Sequence, residues 1–208
     1  NANWGLDLII NVILKKIKKG IYVDVGCHHP LINNNTYYLY KRGWTGINID
    51  LDFNSIEMFN YFRPGDDNYK TAVSNKEGEA NLYFFHNRAP KNTLNKLNGK
   101  GSKLIKKIHT EKLDNILKRS KIKKIDFLTI DVEGNELNVL KGLNFNKYKP
   151  KVISIELINQ NVNSFYEQKI ENILKSKIYK FLIKKNYKLA NWVHDDLIFV
   201  SNHFLKKK

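Results

Sequence analysis

Cysteine is nearly absent: Cys27 stands alone among 208 residues. One thiol excludes an intrachain disulfide framework and a cysteine-based zinc cluster, and it fits a reducing compartment. Long apolar runs are missing too. No stretch approaches the ~18 uninterrupted apolar residues of a membrane span. The nearest candidate, residues 6–17, is broken by Asp7, Asn11, Lys15 and Lys16. Its apolar positions Leu6, Ile9, Ile10, Ile13, Leu14 and Ile17 recur at helical spacing, so an amphipathic helix packed on the chain's own sheet is expected. Internal repeats are lacking, and no composition shift marks a domain boundary. The expectation is one domain over residues 1–208: an N-terminal helix in 1–19, a core in 20–201 and a basic tail in 202–208. The chain opens on Asn1, which leaves room for an upstream segment.

Acids are the minority charge. The 20 Asp and Glu face 36 Lys and Arg, a formal balance of +16. Such a surface attracts phosphates, anionic glycans or acidic lipid headgroups. The cations are mostly lysine, gathered in residues 91–124 and 169–208. Arginine is the residue that reads phosphate or guanine in bidentate fashion, so the charge suggests an anionic partner without naming one. A lysine-, asparagine- and isoleucine-rich genome would produce the same bias.

What is present alternates between strand and helix. Apolar β-branched runs at Ile21–Val25 and Thr45–Asp50 read as buried parallel strands. Ser55 is expected to cap a helix running through Phe62, which Pro64-Gly65 stops. Strands are expected at 69–73 and 79–85, then a long loop at 86–101 of the kind that often serves as a lid or binding loop. Next come a helix at 112–119, the most apolar strand at 125–130, a helix at 135–141 closed by Gly142, a strand at 152–157 and a long basic helix at 165–185. Strands at 187–192 and 197–201 close the chain as a hairpin. The pattern predicts an α/β fold, Rossmann-like, with a mostly parallel sheet and an antiparallel C-terminal edge hairpin.

In open sheets of this kind, ligands bind beyond the carboxyl ends of the strands. The first strand ends in Asp24-Val25-Gly26-Cys27-His28-His29-Pro30, where a glycine permits close backbone approach and an acid stands nearby. The further glycines of a dinucleotide fingerprint are missing, which weighs against a nicotinamide cofactor. Asp50 ends the second strand and suits the two hydroxyls of a ribose; Asp52 competes for that role. The central strand ends in Asp131-Val132-Glu133-Gly134. Two carboxylates there could orient an acceptor hydroxyl, and one could act as general base. Helix capping accounts for acids near a helix start, though not for a strand that terminates in one.

The block Asp131-Val132-Glu133-Gly134 followed by Val139-Leu140-Lys141-Gly142 resembles the hallmark of FkbM-type methyltransferases. Asp24-Val25-Gly26 with His29-Pro30 and Asn35-Thr36 is similar to that family's opening motif, and residues 43–50 to its second. Arg63-Pro64 with Asp66, then Ala72-Val73-Ser74, Asn92-Thr93 and 112–114, follow in register. Ile155-Glu156 and residues 197–200 are similar to the closing strands, so the likeness spans residues 20–201. Many relatives carry Glu where this chain has Asp50. The resemblance implies the class I methyltransferase fold and S-adenosylmethionine as cofactor. It implies cofactor contacts at Asp24, Gly26, Cys27, Asp50 and Ala72, a transfer site at Asp131 and Glu133, and acceptor contacts at Asn92, Thr93 and His29. No metal is expected. The acceptor it implies is a saccharide or glycoconjugate hydroxyl, small or polymeric and with an anionic character open. Two other readings stand beside this one. Ribose methylation of nucleic acid is prompted by the charge, although the Asn-Pro-Pro-Tyr and Pro-Cys motifs of base methyltransferases are missing. A catalytically silent cofactor-binding subunit is the second. A cytoplasmic location is expected, with association to a membrane surface left open.

Overall fold

The computed structural model describes residues 2–86, 89, 91–158 and 169–206. Along the chain run α1 (Leu6–Ile13), β1 (Ile21–Val25), α2 (Tyr37–Lys41), β2 (Thr45–Asp50), α3 (Phe53–Phe62), β3 (Asp67–Lys70), β4 (Ala72–Ser74), β5 (Gly78–Phe84) and β6 (Leu104–Lys112). They are followed by α4 (Leu113–Arg119), β7 (Phe127–Ile130), α5 (Glu136–Lys141), β8 (Val152–Glu156), α6 (Ile170–Lys175), α7 (Lys177–Lys184), β9 (Tyr187–Val193), β10 (Asp196–Ser201) and α8 (Asn202–Leu205). Seven strands form one sheet in the order β3-β2-β1-β7-β8-β10-β9. The first five of these run parallel and β10 lies antiparallel to both β8 and β9, as the hairpin reading anticipated.

Apolar alternation explains how both faces are covered. Val23, Val25, Ile47, Ile49, Leu128, Ile130, Ile153, Ile155, Leu197 and Phe199 point to one face and pack under α4, α5 and α7. Their neighbours Tyr22, Phe127, Val152, Ile198 and Val200 point to the other, where Leu6, Ile10 and Leu14 of the N-terminal segment and Leu39 of α2 cover them. The expected N-terminal helix thus spends its apolar stripe on the sheet, although it ends at Ile13 rather than Ile17. Among the described residues, no helix is long and apolar enough to cross a membrane.

Several boundaries differ from expectation for identifiable reasons. The strand expected at 69–73 is two strands: the chain leaves the main sheet after Lys70 and enters a second sheet, β4-β6-β5, at Ala72. β6 has no counterpart in the sequence reading, because only Thr110 of its nine residues is buried and no apolar alternation marks it. The cap of α3 is Asp52, whose side chain accepts from the Ser55 amide at 2.9 Å. The long basic helix is broken at Ser176, which caps α7 by accepting from the Tyr179 amide; residues 165–168 of the expected helix lie outside the described residues. Four residues of the expected tail form α8.

Candidate active site

Strand parity builds the site. With Tyr22, Phe127, Val152 and Ile198 facing the α1 side, a period of two sends Asp24, Asp50, Asp131, Glu156 and Asp196 to that same side. All five stand at or next to the rim where β1, β2, β7 and β8 end and β10 begins. Glu156 and Asp196 are direct register partners. Glu133 joins them from the turn after β7. Asp131, Glu133 and Glu156 each bring a carboxylate oxygen within 4.8 Å of one another. This all-oxygen set is of the kind a hard divalent cation takes, but carboxylates this close can also relieve their repulsion by holding protons.

Burial and mutual repulsion raise the affinity of these carboxyls for protons. Burial pushes the Glu156 carboxyl up to about 11, and the Asp131 charge adds to that. Glu156 is therefore neutral and hydrogen-bonds Asp131, while its Oε2 is buried with no partner among the described residues. Asp131 is open to solvent on one side, yet enough protein surrounds it that desolvation holds its carboxyl above the usual range. Burial first, and the neighbouring charges of Asp131 and Glu136 second, push Glu133 up to about 7. Asp196 rises to about 7, again by burial and then by Asp131.

The turn that carries Glu133 is held on every side. Glu133 has φ 57° and Gly134 φ 98°, both left-handed. Buried Glu136 accepts the Val132 and Gly134 amides at 3.2 and 2.8 Å and itself rises to about 7 through burial. From outside, the 92–101 segment clasps the same turn: Thr93 Oγ1 and Asn98 Nδ2 donate to the Glu133 carbonyl at 2.5 and 2.9 Å, and Asn95 Nδ2 donates to that of Gly134 at 2.9 Å. A Cβ on Gly134 would run into Asn98. Asn92 and Thr93, expected to meet the acceptor, hydrogen-bond the loop and the turn. Thr93 is 2% exposed, and the Asn92 amide bonds the backbone of Phe85 and His86 within its own loop.

At the end of β1, Gly26 has φ 84°, and a Cβ there would lie 1.7 Å from the Asp131 carbonyl. This meeting of two strand ends requires the glycine. Asp24 is buried; one of its oxygens accepts Asn34 Nδ2 at 3.0 Å and Thr36 Oγ1 at 2.8 Å, and burial pushes its carboxyl up to about 6. Beneath lies Arg63, fully buried, with four aromatic ring centroids 4.9–5.9 Å from its guanidinium. It donates to Thr36 Oγ1, Asn34 Oδ1 and the Pro30 carbonyl. Tyr22 bridges from it to Asp66, which also accepts from Gly46 and Asn48. Separate sequence blocks around residues 24, 30, 36, 63 and 66 are thus one buried network that shapes the floor.

The remaining expected residues divide. Asp50 is half-buried and accepts the His28 and Asp52 amides at 2.8 Å each, leaving carboxylate lone pairs toward the rim. Cys27 turns away to pack with Ile56 and Phe59, and its N–H donates to the Ile49 carbonyl. Ala72 is buried in the smaller sheet opposite Thr110. His29 Nδ1 accepts the Leu31 and Ile32 amides, so that nitrogen is committed to a turn. His28 is the histidine that faces Asp50 and Asp131, exposed and close enough to influence both.

Residues 24–188 match the model of the methyltransferase FkbM domain. The chain belongs to the FkbM methyltransferase family. The match runs from the first rim acid through β8 and into β9, so Asp24, Asp50, Asp131, Glu133 and Glu156 lie within the FkbM domain and Asp196 lies just beyond the matched residues. No curated protein sequence matches the chain.

Proposed function

We propose that this FkbM protein transfers a methyl group from S-adenosylmethionine to a hydroxyl of a saccharide or glycoconjugate. The observation that carries the reading is the row of carboxylates on one face at the ends of adjacent strands, inside a methyltransferase domain. Its chemistry fits the cofactor: carboxylates complement a sulfonium cation and an ammonium group, and Asp50 offers acceptor oxygens suited to a pair of ribose hydroxyls. When bound, S-adenosylmethionine supplies an electrophilic methyl that needs no further activation. The chain's part is to orient and to move a proton. Asp131, kept hydrogen-bonded by neutral Glu156, accepts from an acceptor hydroxyl and fixes its direction. Glu133, poised near neutrality on its clasped turn, takes the hydroxyl proton. Ribose methylation of a nucleic acid is disfavoured, because the basic surface is built mostly of lysine rather than the arginine that reads phosphate in bidentate fashion.

Calorimetry with S-adenosylhomocysteine, paired with labelled methyl transfer to neutral glycans and to RNA, tests the reading. Asp50→Ala is expected to weaken cofactor affinity by about tenfold to a hundredfold, the range for hydrogen bonds to a charged group. Unchanged affinity in that variant would remove Asp50 from the cofactor site. Label appearing in RNA and in no glycan would overturn the acceptor class.

A further inference from the structure

We propose that the β5–β6 ribbon and residues 91–103 dock on the surface of an anionic lipid bilayer and hold the rim beside it. The argument starts from charge segregation. Residues 80–110 contain seven Lys and Arg and no acid, so all 20 Asp and Glu of the chain lie elsewhere. Lys91, Lys96, Lys100, Lys103, Lys106 and Lys107 are exposed. Among the described residues, none of them has a carboxylate within 4.0 Å.

The same stretch exposes aliphatic side chains that its own sheet does not cover. Leu97, Leu104 and Ile105 are 62%, 43% and 57% exposed, whereas Leu82 in the paired strand is 5% exposed. Leu104 pairs with Phe84 and Ile105 with Tyr83 at the end of the ribbon, so alternation turns one to each face. Lysines around unburied Leu and Ile match the bilayer interface, which takes aliphatic groups below the headgroup plane and returns Coulombic attraction at it. A polyanionic chain offers nothing to the aliphatic side chains and draws instead on arginine and stacked aromatics. Placement adds the functional consequence: Thr93, Asn95 and Asn98 tie this segment to the Glu133 turn, so a docked bilayer would bring its headgroups next to the rim.

Cosedimentation with vesicles of phosphatidylcholine alone, or mixed with phosphatidylglycerol, reads this directly. It needs neither cofactor nor acceptor, so its failure would leave the proposed reaction standing. The wild-type chain is expected to bind the mixed vesicles at least about tenfold more tightly, and K100E/K103E/K107E to lose that gain. K15E/K16E/K18E carries the same net charge and is expected to retain it. L104S/I105S should weaken vesicle binding several-fold while leaving heparin binding unchanged. All these side chains are exposed, and thermal unfolding checks each variant's fold. Equal losses in the two charge-reversal variants would reduce the effect to net charge and overturn the proposal, as would vesicle binding by L104S/I105S indistinguishable from wild type.

Discussion

Glu133→Gln is expected to lower kcat by about a hundredfold to ten-thousandfold, the usual contribution of a positioned general base, while leaving cofactor affinity nearly unchanged. The substitution keeps size and shape, and the turn beneath it is fixed by bonds to main-chain groups: Thr93 and Asn98 on its carbonyl and Glu136 on the adjacent amides. What disappears is a proton acceptor. Because the carboxyl titrates near about 7, kcat/KM of the wild-type protein should climb with pH below that point and level off above it. The variant's residual rate should lack that limb. A kcat left intact would mean that the hydroxyl proton departs by another route and that alignment alone drives the transfer.

Glu156→Gln is expected to stabilise the protein at pH 8, raising its melting temperature by about 4–8 °C. The folded chain holds this carboxyl near about 11 against an ordinary value of 4.5. Between those values the folded state binds a proton that the unfolded state has released, so the stability contributed below pH 4.5 declines as pH rises through the window. By pH 8 the full linkage amounts to several kcal/mol; coupling to Asp131 and structural relaxation reduce it to about 2 kcal/mol. Glutamine carries its donor permanently, keeps the bond to Asp131 and has no proton to acquire. The gain should shrink toward zero near pH 5. Circular dichroism melts at both pH values decide the matter, and a variant no more stable than wild type at pH 8 would mean that Glu156 is ionised in the folded state.

The parts of this molecule that could be read from sequence are those where burial leaves a periodic trace. The runs ending at Asp24, Asp50 and Asp131 carry buried apolar residues at alternate positions, so the strands and their terminal acids could be read directly. Glu156 and Asp196 obey the same parity and could have been found by extending it across β8 and β10. β6 could not, because only one of its nine residues is buried, so its side chains carry no periodic signal. Arg63 stood in one of the family-like blocks, but its burial could not be read. Arginine is almost never fully buried unless paired, and here its partners, Tyr22 and three residues of the 30–36 segment, are distant in sequence and only folding assembles them. Which of two adjacent histidines faces the rim depended on the left-handed φ of His28, a property that residue type alone does not announce.

Cys27, sealed behind Ile56 and Phe59, makes the chain its own gauge of motion. Burial and the nearby charges of Asp50 and Asp24 hold its thiol far above the usual range, so the closed protein has almost no reactive sulfur. Alkylation must wait until α3 lifts from the floor. The labelling rate of this one native thiol therefore clocks the opening of the floor without any engineered probe, and a ligand that tightens the floor should slow that clock.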